Sequence, residues 1–354
     1  MNIFRKRAIP VYFKDYTENI VDRSLFEADK YTSINNNGII KSSLNIIHAA
    51  AIHYEGRYRN SKVLRFFNAF MEIFSSIGEY GDGKFYLNNN ESNEFQQSSS
   101  EVIAVGICIE LTSELFNINK NRIYLIEGTK KRCDFKFIKN SLEYIIESKG
   151  RKGSTTQAIK DIFLKKEQYS GISPKYGVVS SLPRNGQYSF TTVVDPQFEP
   201  REISRQEEIQ KLLVHYSKLS YLAGFWRMGD LLSSRAEALG SGTPLSEIDK
   251  KALDYENILK FGNSVAIQVG DLRSRVFFPR DSQYGFRYEY ENLVAFFLME
   301  EKLIKILNSQ DFSALEEYSF PSTEDIEIDN NYLSIGNDGS ILMLANAETI
   351  NRYR

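Results

Sequence analysis

Apolar residues recur at helical or strand spacing along most of the chain, and one long polar stretch interrupts them. The first 40 residues indicate short strands and loops, and residues 41–78 place Leu, Ile, Phe and Ala at helical spacing. A stretch rich in Gly, Asn and Ser follows, from Gly81 to Ser100, and it predicts a loop or linker. We therefore expect a domain boundary there, after an N-terminal α+β segment covering residues 1–94.

The middle of the chain predicts a compact α/β domain over residues 95–200. A helix is expected from Glu101 to about Phe116, because Ser98 and Glu101 have the spacing of a capping box. The elements expected after it are, in order, strands at Arg132–Ile138 and Leu142–Lys149, a basic glycine loop at Gly150–Gly153, a helix at Thr155–Gln168, and strands at Lys175–Ser180 and Ser189–Val194.

Residues 201–354 predict a mainly helical region that ends in a β-hairpin. The expected helices are Ile203–Leu219, Phe225–Leu239, Leu245–Phe261 and Tyr288–Leu307. The hairpin is expected within 325–345, around a turn at Asn337–Gly339. The fold class is therefore an α/β core, with a mixed central sheet flanked by helices, between an α+β segment and this C-terminal region.

Composition narrows the class of protein but assigns no chemistry. The formal net charge is −2, so a nucleic-acid partner would need a local basic surface. Two cysteines cannot form a disulfide framework, which favours a reducing cytoplasm. No apolar window reaches the length of a membrane span, and the first residues lack the apolar core of a signal peptide. We expect a cytoplasmic protein with no membrane partner.

Three charged residues share one face of the predicted hairpin. If Asn140 and Ser141 form a two-residue turn, Lys139 pairs with Leu142, and Asp134 lies opposite Glu147. Opposite residues have Cβ atoms ~5 Å apart on the same face. Side chains alternate along a strand, so Lys149 shares the face of Glu147.

Two carboxylates at this separation repel each other, and a divalent cation relieves the repulsion. Oxygen ligands from one or two carboxylates, completed by water and phosphate oxygens, suit Mg²⁺, for which Mn²⁺ can substitute. A neighbouring lysine can orient or deprotonate the attacking water, or stabilise charge on a phosphate in the transition state. Asp134, Glu147 and Lys149 are therefore the candidate catalytic centre, and both carboxylates are candidate metal ligands.

This segment resembles the PD-(D/E)xK, or restriction-endonuclease-like, nuclease superfamily over about residues 95–200. The superfamily carries an Asp on one strand and an Asp/Glu-x-Lys on the next, here Asp134 and Glu147-Ser148-Lys149. Cys133 stands where the superfamily usually has a proline. The resemblance implies a restriction-endonuclease-like core, Mg²⁺, and hydrolysis of phosphodiester bonds.

The resemblance also implies an acidic residue on the preceding helix and often a glutamine on the following one. Glu110 and Gln157 occupy these positions. Glu110 would be a third metal ligand, or its polar stripe would face solvent. Glu101 is the alternative helix acid, although its position also fits a helix cap. Gln157 would reach the water or the DNA, or would be an exposed helix residue.

A local basic cluster follows the candidate site and could contact phosphates. Its members, which could equally form a solvated helix face, are Arg151, Lys152, Lys160, Lys165 and Lys166. The three histidines lack metal-ligand spacing, and no Walker pattern occurs, so a histidine metal centre and an ATPase are not indicated.

The sequence thus predicts a metal-dependent endonuclease, with DNA favoured over RNA as substrate. By analogy, large regions around such a domain indicate a bacterial restriction or anti-phage defence effector. The helical C-terminal region could support a homo-oligomer or bind a partner protein. The alternative is a catalytically inactive nucleic-acid-binding or scaffold subunit of a larger defence or repair complex.

Overall fold

In the computed structural model the chain forms two compact units, and the boundary between them in the sequence is between Ile203 and Ser204. The residues that the structure describes are 5–14, 26–54, 72–78, 82–88, 92–126, 134–168, 175–184, 186–194, 201–248, 262–269, 272–279, 289–290, 293–321, 325–328 and 331–346. Within this part of the chain, no helix combines the length and apolar character needed to cross a bilayer.

A seven-stranded mixed sheet forms the centre of the first unit. Its strands are β2 (Val11–Lys14), β6 (Ile123–Leu125), β7 (Phe135–Lys139), β8 (Leu142–Arg151), β9 (Lys175–Ser181), β10 (Phe190–Val194) and β11 (Arg201–Glu202). The order is β2-β10-β9-β8-β7-β6, and β11 pairs with β8. Strands β8 and β9 are parallel, as are β10 and β2, and the other pairs are antiparallel.

Further helices and short strands of the first unit lie around this sheet. Those described include β1 (Arg7–Ile9), α1 (Ala28–Asn37), β3 (Ile39–Lys41), α2 (Ser43–His53), β4 (Ile77–Gly78), β5 (Tyr86–Leu87), α3 (Asn93–Leu115) and α4 (Thr156–Gln168). Buried residues of α4 form a core cluster with Val179 and Val194 of the sheet. The predicted mixed sheet with flanking helices is confirmed.

The expected boundary near residue 94 has no counterpart in the structure. Strand β2 belongs to the N-terminal segment, yet it pairs with β10 in the central sheet. Residues 1–94 and 95–200 therefore contribute to one unit. Pairing between segments so distant in sequence leaves no local signal, whereas the polar composition of 81–100 resembles that of a linker.

Helix α3 begins earlier than its sequence pattern indicated. Its N-cap is Ser92, whose hydroxyl accepts a hydrogen bond from the backbone N–H of Phe95 at 3.4 Å. Ser98, the expected capping residue, donates instead to the carboxylate of Glu72 at 2.8 Å. At Gly106, α3 packs closely against α2, because a Cβ there would lie 2.4 Å from the carbonyl oxygen of Ile46.

The hairpin between β7 and β8 has the expected register. Asn140 and Ser141 both have positive φ, 53° and 59°, as a two-residue type I′ turn requires. Lys139 pairs with Leu142, and the ladder continues to Phe135 opposite Ile146. The apolar run in the middle of β8 is buried, as expected of a central strand.

The second unit is α+β, which corrects the expectation of a mainly helical region. Its helices within the described residues are α5 (Arg205–Leu222), α6 (Trp226–Gly240), α7 (Glu301–Ser309) and α8 (Phe312–Glu317). A hairpin joins β12 (Gly262–Val269) and β13 (Leu272–Pro279). A five-stranded sheet has the order β14-β15-β18-β17-β16, with β14 (Glu289–Tyr290), β15 (Leu293–Met299), β16 (Asp325–Ile328), β17 (Asn331–Ile335) and β18 (Ser340–Asn346).

One of the expected C-terminal helices needs correction, another lies mostly outside the described residues, and the terminal hairpin is confirmed. The segment predicted as helix Tyr288–Leu307 contains strand β15. The prediction was wrong because the periodicity of a short, wholly apolar run does not distinguish a buried strand from a buried helix. Of the predicted helix Leu245–Phe261, Leu245–Glu247 forms one 3-10 turn, and residues 249–261 lie outside the described residues. Strands β17 and β18 pair around the expected turn, where Gly339 has a φ of 80°.

Candidate active site

Asp134 lies just before β7, with its carboxylate against the backbone of β8. Its N–H donates to the carbonyl of Ile146 at 3.1 Å. Its Oδ2 accepts a hydrogen bond from the N–H of Ser148 at 2.9 Å. These two contacts are to the residues on either side of Glu147, so the hairpin brings Asp134 to Glu147.

Glu147 and Lys149 form an ion pair on one face of β8. Lys149 Nζ lies 2.6 Å from Glu147 Oε1, and the side chains are 22% and 1% exposed, respectively. Alternation along the strand accounts for the shared face. The site thus contains a buried carboxylate whose partner cation reaches solvent.

Cys108 of α3 lies behind these residues, and the sequence analysis did not connect it with the site. Burial raises the pKa of its thiol well above the usual range, and the negative charges of Asp134 and Glu147 raise the pKa further. The thiol is therefore a neutral packing group. Its signal in the sequence would have been its position on the face of α3 that meets the sheet.

Glu110 is not brought to Asp134 and Glu147. It lies two residues after Cys108 on α3, about 200° further around the helix. Its Oε2 contacts Lys41 Nζ at 3.0 Å, and its Oε1 accepts a hydrogen bond from Lys120 Nζ. Neither expectation for this residue, a metal ligand or a solvent-facing side chain, matches the position found.

The Glu110 cluster is almost completely buried. The side chains of Lys41, Lys120 and Glu110 are 4%, 2% and 1% exposed. Burial by itself would raise the pKa of Glu110, but the two lysine charges lower it to about 2. Lys41 also contacts Glu114 at 2.5 Å. No local pattern in the sequence could have identified Lys41, because it lies on β3, far from α3 in the chain.

Asp134 and Glu147 are the residues of this site that could hold a divalent cation. Among the residues that the structure describes, no group of three His, Cys, Asp or Glu side chains could hold a metal ion. Two carboxylates nevertheless fit Mg²⁺, because this ion usually keeps several waters and is often held by one or two protein carboxylates. Glu101, the alternative helix acid, is exposed on α3.

Gln157 and part of the basic cluster, namely Arg151, Lys152 and Lys160, lie around the start of α4. Gln157 is exposed and donates to Asp161 Oδ1 at 2.9 Å, while Arg151 Nη2 lies 3.5 Å from Asp161 Oδ2. Lys160 is exposed, and Lys152 is partly exposed. The side chains of Lys165 and Lys166 lie outside the described residues.

Asp161 is an acidic residue among these cations that the sequence analysis did not consider. It follows Gln157 by four residues, a spacing at which helix side chains meet. That spacing was visible in the sequence and could have predicted the hydrogen bond.

Comparisons of the chain with protein-family models, with curated proteins and with solved structures found no match.

Proposed function

We propose that the first unit is a Mg²⁺-dependent nuclease with a restriction-endonuclease-like core, and that it hydrolyses phosphodiester bonds, with DNA as the favoured substrate. The observation that carries this proposal is the convergence of Asp134, Glu147 and Lys149 on adjacent strands of the central sheet. Two carboxylates beside one partly exposed lysine provide the charges that metal-assisted phosphodiester hydrolysis requires.

Each residue of the site has a definite role in this proposal. Asp134 and Glu147 bind the cation, which supplies Lewis-acid polarisation of a phosphate oxygen and lowers the pKa of a water molecule. Lys149 extends from the buried carboxylate toward solvent, where it can orient the attacking water or donate to a phosphate oxygen. The hydrogen bond from Ser148 N–H holds the Asp134 carboxylate against β8.

The order of elements around the site also supports the proposal. Helix α3 precedes the strand that follows Asp134, β8 carries Glu147-Ser148-Lys149, and α4 comes next. The resembled superfamily has its helix, its Asp strand, its Asp/Glu-x-Lys strand and its second helix in this order. A cytoplasmic defence role, and oligomer or partner contacts through the second unit, belong to the same proposal.

A second candidate function is a nucleic-acid-binding or scaffold subunit without catalysis. The observation that favours it is the position of Glu110, which leaves two carboxylates at the site and a lysine already paired with one of them. Such a protein would bind nucleic acid equally well with and without a divalent cation.

The test is an incubation of the purified protein with plasmid DNA, single-stranded DNA and RNA, each with Mg²⁺, Mn²⁺ or EDTA. We expect cleavage with either metal and none in EDTA. Asp134→Ala should abolish cleavage, whereas the matched control Glu101→Gln, an exposed carboxylate of α3, should cleave normally. Cleavage in excess EDTA, or full activity of Asp134→Ala, would exclude this site. Binding without cleavage under every condition would favour the second candidate.

A further inference from the structure

An aromatic cluster lies at the β2 edge of the central sheet. Tyr12 of β2 is 47% exposed, whereas Tyr188 and Phe190 are half-buried. The ring of Tyr12 packs edge-on against Phe190 of β10, with centroids 5.5 Å apart and an interplanar angle of 74°. A hydrogen bond with Tyr188 raises the pKa of Tyr12, so the hydroxyls of these two tyrosines also meet.

Positive charge lies next to these rings. Lys84 Nζ is 4.0 Å from the centroid of the Tyr188 ring, and the backbone of Lys84 bridges to Ala8, shortly before β2. Lys14 is exposed, two residues after Tyr12 on the same strand, so it shares the face of Tyr12. The neighbouring acid, Asp82, accepts hydrogen bonds from the hydroxyl of Tyr86 at 2.5 Å and from the N–H of Lys84 at 3.1 Å.

The aromatic cluster lies on the same face of the sheet as the candidate active site. Tyr12 pairs with Thr192, Thr192 with Val179, and Val179 with Lys149. Residues paired across strands point to the same face, and three strand-to-strand steps span about 14 Å. In the neighbouring row, Phe190 pairs with Ser181, and Ser181 with Arg151.

We propose that Tyr12, Tyr188, Phe190 and Lys84 bind single-stranded nucleic acid, with a base stacked on the exposed ring of Tyr12, beside the half-buried rings, and a phosphate near the lysine. Aromatic side chains beside a basic residue are the groups that bind single strands without sequence preference. The bases of a duplex are stacked on each other and expose only their edges in the grooves, so their faces cannot contact these rings. The aromatic cluster is separate from the Lys149 site, because Val179 lies between them on this face and is buried beneath α4. Its binding can therefore be measured without cleavage.

The test is fluorescence anisotropy with labelled single strands of about 16 nucleotides, the upper end of typical site sizes, in EDTA. Oligo-dT and oligo-rU distinguish DNA from RNA, and a duplex of equal length is the third probe. We expect single strands to bind more tightly than the duplex. Tyr12→Ala should weaken single-strand binding about 5- to 150-fold, the loss expected for one stacked base.

Matched variants separate stacking from packing. Tyr12→Phe keeps the ring and should bind like the native protein, whereas Tyr12→Leu keeps apolar bulk and should weaken binding as Tyr12→Ala does. Trp226→Ala is the control, because Trp226 is 49% exposed but belongs to the second unit. Lys84→Gln should reduce the slope of log affinity against log salt by ~0.7 for a single strand.

The outcomes of this experiment separate the two proposals. Equal affinity of the native protein and Tyr12→Leu for single strands, or equal binding of duplex and single strand, would overturn the proposed stacking surface. If Tyr12→Leu weakens binding but the native protein cleaves nothing with any metal, the nuclease proposal fails and the binding surface stands. If the native protein cleaves and Tyr12→Leu changes neither single-strand binding nor KM, the reverse holds.

Discussion

Two buried glutamates of the first unit, Glu110 and Glu147, have different counter-ions. Each glutamate side chain is 1% exposed. Glu110 contacts two lysines that are themselves buried, Lys41 and Lys120, with side chains 4% and 2% exposed. Glu147 contacts Lys149, whose side chain is 22% exposed.

This difference indicates that the exposure of the partner lysine separates a structural carboxylate from one that can take part in chemistry. Removing Lys41 or Lys120 from Glu110 would leave buried charges unpaired, which is costly, so that cluster is fixed. Lys149 can move its ammonium group into water at little cost, because a long lysine side chain extends readily to solvent. Glu147 can therefore exchange its ammonium partner for another cation.

The largest expected effect on the cleavage rate comes from removing the carboxylate of Glu147. Loss of groups that merely support a metal ligand lowers activity or metal affinity about 10- to 100-fold. Glu147→Ala removes a proposed ligand itself and should lower the cleavage rate by more than ~100-fold. The measurement is initial cleavage rate over a range of Mg²⁺ concentrations, with Glu101→Gln as the control. Normal cleavage by Glu147→Ala would contradict the claim that Glu147, unlike Glu110, takes part in the chemistry.

Replacement of Lys149 should also lower the cleavage rate strongly. Lys149→Ala should lower the cleavage rate about 10²- to 10³-fold, because the lysine stabilises charge in the transition state. DNA affinity in EDTA should change little, since one cation among several contributes a minor part of binding. Rates and affinities measured on the same preparation test this. Equal losses in binding and cleavage would make Lys149 a docking residue.

The free energy of unfolding should fall much more when Glu110 is replaced than when Glu147 is replaced. Glu110→Gln should lower the free energy of unfolding by ~3–5 kcal/mol, because two buried lysines lose their shared partner. Glu147→Gln should change it by ~1 kcal/mol or less, since Lys149 can regain full hydration. Urea unfolding measures both. A similar loss for the two variants would contradict the distinction drawn from partner exposure.

The pH dependence of the free energy of unfolding should reveal the contribution of Glu110. The pKa of the Glu110 carboxyl falls from an ordinary 4.5 to about 2 on folding. A lowered pKa in the folded state gives stability that is present above pH 4.5 and is lost as the pH falls toward about 2. Unfolding curves between these pH values should therefore show a smaller acid loss for Glu110→Gln than for the native protein. Parallel curves would indicate that Glu110 does not carry this dependence.

The smallest effect is expected from the exposed lysines beside the site. Lys152→Gln and Lys160→Gln should each reduce the slope of log affinity against log salt by ~0.9 on duplex DNA, or by ~0.7 on a single strand, if each lysine contacts a phosphate. Lys305→Gln is the control, because Lys305 is an exposed lysine of the second unit that pairs with Glu301. An unchanged slope for the first two variants would place the phosphate contacts elsewhere.

Local features of the sequence account for the arrangement of Asp134, Glu147 and Lys149. A two-residue turn at Asn140 and Ser141 sets the register of the hairpin, and alternation along β8 sets the shared face. Both effects are local, acting over a few residues, so they can be read without knowing the fold. The existence of α3, α4 and the terminal hairpin followed from periodicity for the same reason.

By contrast, long-range contacts in the fold determine the partners of Glu110, the first turns of α3 and the strand character of Leu293–Met299. Glu110 occupied the position of a metal ligand by analogy, but Lys41 comes to it from β3, a strand distant in the sequence. The polar residues at the start of α3 are helical with several of them buried, and the apolar run of β15 pairs with β18. In each case the deciding contact joins segments far apart in the chain, and local periodicity contains no information about such contacts.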